Sequence, residues 1–511
     1  MWLFSITLII ISALAVKYFK SVQPIPQELR KLPSTHDFAG IFRLLTGMEL
    51  LTVLERYYCP ALQHDGIATS YIRGKLGVMV SNPEYVKHIW KNIDVIPKFP
   101  IVDDPHSLMF KLLGRNVVFS NGKRWKLRRE LINPLFRMSW DPAKFGQIVV
   151  DFFGYIERNP MPDLYQAFEL LTLDSLGKIL FGFDFQAIQN PSGERVTTYF
   201  TAFTAATDSV YIFAPILDYW PLGQRAKGHR AVERFRTVLG QVAKDKAREI
   251  KDDSKNLPRE PSDLLTVFVQ AWIENQLSLE EILDEMTALL IAGHDTTANA
   301  LSCVVYLLAK HPEIQVRVRE EVKSAFSNHT TGQQIPSADE IKSLKYLDAV
   351  IKEALRLYPS TPILPTRRTA KDTQLGNIPI PAGTLITVNL HAMHRYDKYW
   401  ADPHIFNPER WLSLDDQARN KIAWSAFTGG ERICVGKGFA TTELRVVLSM
   451  LSIDKRSIII RRYILTYATI IVRKYSLHLP EDSVHKERIQ FCCSILLKPR
   501  NLRVQFRPYS E

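Results

Sequence analysis

The stretch that decides the fold of this 511-residue chain is Phe427-Thr-Gly-Gly430-Glu-Arg432-Ile-Cys434-Val-Gly436. A single cysteine lies among glycines, with an arginine two residues before it. The glycines permit a tight turn and a close backbone approach, so that N–H groups can point at the sulfur and stabilise a thiolate. Such a thiolate suits the axial position on haem iron, and Arg432 can pair with a haem propionate. The alternative is an ordinary glycine-rich turn around a buried free cysteine.

A second motif interrupts a long predicted helix. Ser278-Leu-Glu-Glu281 is a capping box, and an unbroken helical pattern runs from it to Pro312. The segment is apolar on nearly every side, so we expect it to be buried. Its middle reads Ala292-Gly-His-Asp295-Thr296-Thr, in which the small residues leave room for a flat cofactor. Asp295 and Thr296 can supply and relay protons there, although a simple Gly/Thr kink in a core helix is the alternative.

Two further motifs place arginines. Glu353 and Arg356 lie three residues apart on one helical face, and Pro408-Glu-Arg410-Trp411 offers a second arginine to the same carboxylate. A buried glutamate between two guanidinium groups would lock the region before the cysteine loop, whereas an exposed helix pair is the alternative. Trp125 and Arg129 lie one helical turn apart and are suited to holding an anion, a pattern that also arises by chance on solvated faces.

Together these motifs resemble the cytochrome P450 superfamily of haem-thiolate monooxygenases. They follow one another in the family's order and at its spacings over most of the chain. The resemblance implies a mainly α fold with small β-sheets, the prism fold of that family, with an N-terminal membrane anchor. Its overall character is similar to microsomal eukaryotic members, and in particular to fungal ones.

The resemblance also implies roles for individual residues. Cys434 would be the axial ligand to the iron of haem b, and Asp295 and Thr296 would be the acid–alcohol pair that delivers protons to the distal oxygen. Phe427, Gly430 and Gly436 would flank the haem within the cysteine loop. The propionates would be held by Trp125, Arg129, Arg432 and Arg367, although the neighbouring Arg368 leaves the last assignment open.

The activity that this resemblance implies is the insertion of one atom of O2 into a lipophilic organic substrate. Electrons would come from an NADPH-dependent diflavin reductase, whose acidic surface would suit a basic proximal face. One alternative is a haem-thiolate isomerase or dehydratase that needs no reductase, an enzyme type that usually lacks the Asp295–Thr296 pair. The other alternative is an inactive haem binder.

Composition excludes several other classes. The chain is 46% hydrophobic and 23% charged, which is typical of a globular protein. Its five cysteines have no regular spacing, which argues against a disulfide framework and fits a reducing compartment. The basic residues behind the net charge of +12 are scattered, so the charge indicates a membrane surface or an acidic partner and no nucleic acid.

Residues 1–20 form a predicted membrane anchor. An uncharged apolar run precedes Lys17 and Lys20, and the positive-inside rule places these lysines, and the catalytic domain 21–511, on the cytosolic side of the endoplasmic reticulum membrane. The rival interpretation is a cleaved secretory signal, for which Ala13-Leu-Ala15 would be the cleavage site.

Smaller elements are predicted from local patterns. Strands are expected at 71–74, 75–80, 384–388 and 473–479, and a helix is expected to open at Pro83 behind a capping residue. Residues 452–472 have no clean period and stand where the family has a short connection. We interpret them as a retained intron or mis-assigned exon boundary, with a genuine insertion as the alternative.

The substrate pocket is expected to come from the loops 101–116, 202–214 and 362–365. Their apolar residues favour a lipophilic substrate but could equally be core: Phe110, Leu112, Leu113, Phe203, Ile363 and Leu364. The segment 213–220 is typical of a loop that dips into a bilayer. A steroid, a fatty acid, a xenobiotic and a secondary-metabolite intermediate all remain open.

Overall fold

The computed structural model describes residues 24–72, 75–99, 104–213, 215–252, 263–327, 335–413, 423–452, 475–492 and 496–508. The predicted anchor at 1–20 and almost all of the 452–472 segment lie outside these residues, so both stay predictions. Within the described ranges, no helix is both long enough and apolar enough to cross a membrane.

Helices dominate the described part of the chain, as the sequence predicts. In chain order they are α1 (Asp37–Leu45), α2 (Leu50–Val53), α3 (Pro83–Lys91), α4 (Leu108–Leu113), α5 (Gly122–Arg137), α6 (Pro142–Arg158), α7 (Leu164–Ser175), α8 (Glu194–Ala206), α9 (Ser209–Phe213), α10 (Gln224–Asp252), α11 (Leu264–Ile273), α12 (Leu279–Lys310), α13 (Pro312–Ala325), α14 (Ala338–Ser343), α15 (Lys345–Leu357), α16 (Leu390–Met393) and α17 (Lys437–Ser452).

The strands form three small sheets. They are β1 (Ile67–Ile72), β2 (Lys75–Val80), β3 (Arg367–Arg368), β4 (Thr373–Leu375), β5 (Ile378–Ile380), β6 (Leu385–Val388), β7 (Tyr475–His478) and β8 (Gln505–Pro508). The largest sheet has the order β1-β2-β6-β3, with β2 and β6 parallel and the other neighbours antiparallel. The first strand differs from the prediction of 71–74, because β1 begins at Ile67.

The long helix α12 organises the helical core. Ser278 and Glu281 form the expected capping box, and the helix runs for 32 residues to Lys310. It packs against α4, α7, α15 and α17, which explains why apolar residues surround it on nearly every side. A separate, smaller apolar cluster covers the β1-β2-β6-β3 sheet and includes the buried face of α3. The helix α3 begins as predicted, with the Asn82 side chain accepting from the Glu84 N–H.

Candidate functional site

A cavity of about 920 Å³ is lined by α12 on one side and by the loop that precedes α17 on another. Most of the residues predicted to hold a cofactor line it together. They are Trp125, Arg129, Phe427, Arg432, Cys434 and Gly436, and the proton-relay candidate Thr296 joins them from α12. Motifs that lie up to 311 positions apart in sequence, such as Trp125 and Gly436, therefore meet at one site.

The cysteine loop presents its sulfur to this cavity. The Cys434 side chain is accessible only because it faces the cavity, and burial away from bulk water raises the pKa of its thiol. Backbone N–H groups of Gly436 and Lys437 donate to the sulfur, and the positive charge of Arg129 also opposes that rise. These groups favour a thiolate, as the sequence motif predicts.

Two residues in left-handed backbone conformations shape the turn before Cys434. Thr428 has φ of 60° and Gly430 has φ of 66°. A Cβ at Gly430 would lie 2.7 Å from the carbonyl oxygen of Trp90, so glycine is required there for packing against α3. Gly430 does not appear among the residues that line the cavity, and its close approach is to Trp90.

A group of four positive side chains, which we call the cation cluster, lies beside the cysteine loop: Lys98, Arg129, Arg367 and Arg432. Burial and mutual repulsion lower the pKa of Arg432 to about 9, and burial lowers the pKa of Arg367 to about 10. The same two effects hold the pKa of Lys98 well below its usual value. Among the described residues, no carboxylate lies within 4.0 Å of any of the four.

The hydrogen bonds of the cation cluster leave donor capacity unused. Arg432 stacks on the Trp125 ring at 3.9 Å and donates to Asn121 Oδ1 at 3.1 Å, while its buried Nε has no partner in the described part of the chain. Arg367 donates to the Ile96 carbonyl at 2.9 Å and is buried, whereas its neighbour Arg368 is exposed. A ligand that carries two carboxylates would supply the missing negative charge.

The polar interruption of α12 divides between two sides of the helix. Thr296 faces the cavity, and its hydroxyl donates to the Ala292 carbonyl at 2.7 Å. Asp295 does not line the cavity; it is 1% exposed and contacts the Tyr165 hydroxyl and Lys498. The predicted acid and alcohol are thus neighbours in sequence whose side chains point into different surroundings.

The structure brings Glu353, Arg356 and Arg410 together in a buried network. Arg356 makes a two-pronged contact with the Glu353 carboxylate at 2.8 Å for each bond, and Arg410 Nε donates to the same carboxylate at 3.0 Å. The Trp411 indole N–H donates to it as well, at 3.0 Å. Glu353 and Arg356 are both 0% exposed, so the alternative of an exposed helix pair is wrong.

One residue of the site has no clear signal in the sequence. Lys98 completes the cation cluster, but a single lysine between Pro97 and Phe99 resembles any surface lysine.

The predicted pocket residues divide into two groups. Phe203 is 1% exposed and packs against Tyr199 and His294, so it is an ordinary core residue. The other five candidates, Phe110, Leu112, Leu113, Ile363 and Leu364, do line the cavity.

Comparison with known proteins gives this site a family. The sequence profile described as Cytochrome P450 matches residues 49–451, most of the chain. The chain belongs to the cytochrome P450 family. It is 29% identical over 422 residues to "Cytochrome P450 4V2" of Mus musculus, with 77% of each chain covered. It is also 30% identical over 412 residues to "Putative cytochrome P450 CYP13A1" of Caenorhabditis elegans, covering 73% of this chain and 77% of that one.

A solved structure agrees on the fold. The chain matches the "cytochrome P450DA heme domain" with a TM-score of 0.72 and 19% identity, over 93% of this chain and 97% of the other. The cytochrome P450 therefore has the mainly helical fold with small sheets that its sequence predicts. Its membership of the family, shown by the profile and by the relatives above, makes it a haem-thiolate monooxygenase.

The residues present fit the haem of this cytochrome P450. Cys434 offers a sulfur that faces the cavity and accepts backbone hydrogen bonds, as a thiolate that held the haem iron would need. The cation cluster has no carboxylate partner among the described residues, and the two propionates of a haem would be such partners. When bound, the haem supplies the oxygen chemistry, while the protein supplies binding, orientation and electrostatics.

Proposed function

We propose that this cytochrome P450 hydroxylates a lipophilic organic substrate, on a membrane, with electrons from an NADPH-dependent diflavin reductase. The observation that carries this proposal is the cavity itself, in which Cys434 and Thr296 share an otherwise largely apolar lining. An apolar pocket with a few polar groups is typical of a small-molecule site.

Two exposed apolar surfaces support access to the cavity from lipid. Helix α1 exposes Phe38 (63%) and Phe42 (54%), and the segment after α9 exposes Trp220 (73%) and Leu222 (81%). Both α1 and α9 also contribute side chains to the cavity lining. We propose that these surfaces enter the interfacial region of the bilayer, where tryptophan and phenylalanine are favoured.

Exposed cations near the cysteine loop support docking of an acidic reductase. Helix α5 exposes Lys123, Lys126 and Arg137, and Lys437 is exposed directly after the loop. Two exposed acids, Glu130 and Glu431, lie among them. A surface with an excess of positive charge would steer a partner whose electron-donating face is negative.

Thr296 and Asp295 have the chemistry of a proton relay beside the site. The Thr296 hydroxyl can accept a proton and donate one into the cavity, and Asp295 precedes it on the same helix. Asp295 Oδ1 accepts from the Tyr165 hydroxyl, and Oδ2 is free of partners among the described residues. We propose that Asp295 recharges Thr296 by a side-chain rotation toward the cavity.

The first experiment tests the site before the substrate. The full chain and a variant that lacks residues 452–472 would be reduced, exposed to carbon monoxide and recorded in the Soret region. A far red-shifted band shows thiolate-ligated haem, and NADPH oxidation that requires added reductase then separates a monooxygenase from an isomerase or an inert haem binder. If neither protein shows the red-shifted band, the proposed function fails.

Thr296→Ala tests the relay. We expect the variant to keep its haem spectrum while more of its NADPH consumption ends in hydrogen peroxide. Ser302→Ala is the matched control, because the Ser302 hydroxyl donates to the carbonyl four residues earlier at the same 2.7 Å but lies outside the cavity. Equal peroxide yields from the two variants would contradict the assignment of Thr296.

A further inference from the structure

A buried cluster on the far side of α12 has donor atoms that the site described above does not use. Glu169 on α7 and His294 and Asp295 on α12 each offer one atom, and these atoms all lie within 4.8 Å of one another. His294 is 0% exposed and Asp295 is 1% exposed. Such a set of imidazole and carboxylate donors has the composition of a divalent-metal site.

The imidazole of His294 is oriented as in a metal ligand. Its Nδ1 lies 3.1 Å from the Leu290 carbonyl and 2.7 Å from the Tyr199 hydroxyl. Since a carbonyl can only accept, the tautomer with the proton on Nδ1 satisfies it and leaves a lone pair on Nε2. A hydrogen bond from Nδ1 to a backbone carbonyl is the usual support of a histidine that binds metal through Nε2.

Two atoms of the cluster are buried without a hydrogen-bond partner among the described residues: His294 Nε2 and Asp295 Oδ2. His294 Nε2 lies 3.8 Å from Glu169 Oε1, which is too far for a hydrogen bond. Two ligands of a tetrahedral zinc ion lie about 3.4 Å apart, so a small inward rotation would place both at bonding distance. A lone pair that faces the Glu169 carboxylate without a shared cation is unfavourable when buried.

Lys498 is the cation that already balances part of this charge. Its Nζ lies 3.5 Å from Asp295 Oδ1 and 4.2 Å from the centre of the Phe203 ring. It approaches the oxygen that also accepts from Tyr165, and it leaves Oδ2 unbound. Lys498 therefore weakens binding of a further cation by repulsion but does not occupy the position between His294 and Glu169.

We propose that His294 Nε2, Asp295 Oδ2 and Glu169 bind a divalent metal ion of the zinc class. Water completes the four-coordinate shell. Zinc is favoured over calcium or magnesium because the set includes an imidazole and offers few oxygens.

A bound zinc ion would hold Asp295 away from the cavity. This consequence rests on the proposed function, in which Asp295 recharges Thr296. Zinc is then expected to raise the peroxide yield of the enzyme, and zinc binding without that rise would leave the metal site intact while contradicting the role of Asp295 in proton delivery.

The test measures zinc on the ferric holoenzyme. The protein would be dialysed against zinc chloride with a weak competing chelator, and the zinc-to-iron ratio would be measured together with the zinc K-edge absorption spectrum. We expect one zinc per haem with an imidazole in its shell, and at least a tenfold loss of affinity in both His294→Ala and Glu169→Gln. Lys498→Met is expected to bind zinc more tightly than the unaltered chain, because a competing charge is removed.

His311→Ala is the matched control, because His311 Nδ1 lies 3.3 Å from Glu313 Oε1 in a solvent-accessible histidine–carboxylate pair. It should keep the zinc that His294→Ala loses. The partly exposed Glu169 provides a milder variant should His294→Ala fail to keep the red-shifted carbon monoxide band. The proposal would be overturned if the unaltered chain and His294→Ala bound zinc equally, or if the K-edge spectrum showed no imidazole.

Discussion

Buried guanidinium groups occur in two regions of this cytochrome P450, and the two regions neutralise them differently. In the network of Glu353, Arg356 and Arg410, one carboxylate receives both arginines and an indole N–H. In the cation cluster, the partners of Arg367 and Arg432 within the described ranges are carbonyls, an amide and an aromatic face. The first region is complete within the chain, whereas the second needs an anion from outside.

This difference separates a structural use of buried charge from a binding use. The Glu353 network stabilises the fold because each charge has its partner in place, and removal of one partner strands the others. The cation cluster destabilises the haem-free protein, because four partly desolvated positive charges are held together without a carboxylate partner among the described residues. Binding of an anionic ligand converts that cost into affinity. A mutation in the Glu353 network should therefore lower the stability of the fold, whereas a mutation in the cation cluster should lower haem affinity and leave that stability nearly unchanged.

The largest effect is expected for a mutation in the network of Glu353, Arg356 and Arg410. Glu353→Gln leaves the buried Arg356 and the half-buried Arg410 without a carboxylate, at a cost of about 3–5 kcal/mol in the free energy of unfolding. Urea unfolding followed by circular dichroism measures it, and we expect haem incorporation to fall in parallel because little protein stays folded.

A surface pair supplies the control for that experiment. Glu409 bonds to Arg317 with side chains that are 51% and 50% exposed, so Glu409→Gln should cost less than about 1 kcal/mol. Arg410→Lys is a milder change within the network. Its cost in the free energy of unfolding should lie between the costs of Glu353→Gln and Glu409→Gln. Similar unfolding curves for Glu353→Gln and Glu409→Gln would show that the buried network does not stabilise the fold.

The next largest effect is expected for a mutation in the cation cluster. Arg432→Met should change the unfolding free energy of the haem-free protein by less than about 1 kcal/mol, since the lost hydrogen bonds and the relieved repulsion oppose each other. Haem affinity should fall by about 10- to 100-fold, as expected when a charged hydrogen-bond donor is removed. Transfer of haem to a competing apoprotein measures this loss.

Arg368→Met is the control for the cation cluster, because Arg368 is exposed beside the buried Arg367. It should leave haem affinity unchanged, and Arg367→Met should lower it. If Arg368→Met has the larger effect, the assignment of Arg367 to a propionate is wrong. If Arg432→Met unfolds the haem-free protein as strongly as Glu353→Gln does, the contrast between the two regions disappears.

A third buried ionisable group sharpens the comparison, because within the described part of the chain it faces neither an arginine nor a backbone donor. Glu443 on α17 is 0% exposed, and neither carboxyl oxygen makes a hydrogen bond of ordinary geometry to a described residue. Burial raises its pKa to about 8, against a smaller opposing effect of Ser175. This carboxyl avoids the cost of a buried charge by remaining protonated.

The change in stability over a single pH unit is the smallest of these expected effects, and it follows from the raised pKa of Glu443. Because the folded-state pKa of about 8 exceeds the unfolded value of 4.5, the folded state binds more protons between these pH values. The contribution of Glu443 to stability is complete below pH 4.5 and is lost as the pH rises to 8, by at most about 1.4 kcal/mol per pH unit.

Glu443→Gln should remove this part of the pH dependence and stabilise the protein at pH 8, as urea unfolding at several pH values would show. Glu130→Gln on the exposed face of α5 is the control and should leave the pH dependence unchanged. A pH profile of Glu443→Gln that follows the profile of the unaltered chain would show that Glu443 is ionised in the folded protein.

Elements with strong local signals could be predicted well. The capping box at Ser278, the 32-residue helix behind it and the helix that opens at Pro83 depend on contacts within a few residues, which the sequence displays directly. The start of β1 at Ile67 does not follow from the local pattern, because its first residues are held in a strand by pairing with β2.

The chain's own sequence determined the cysteine loop, the long helix and the identities of Glu353, Arg356 and Arg410, because each rests on spacing within one segment. Only the tertiary structure decided that Lys98 joins the cation cluster, that Phe203 belongs to the core, and that Asp295 faces Tyr165 and Lys498. The physical reason is that burial and charge compensation are properties of what surrounds a side chain. Those surroundings come from segments that are distant along the chain and meet only when it folds.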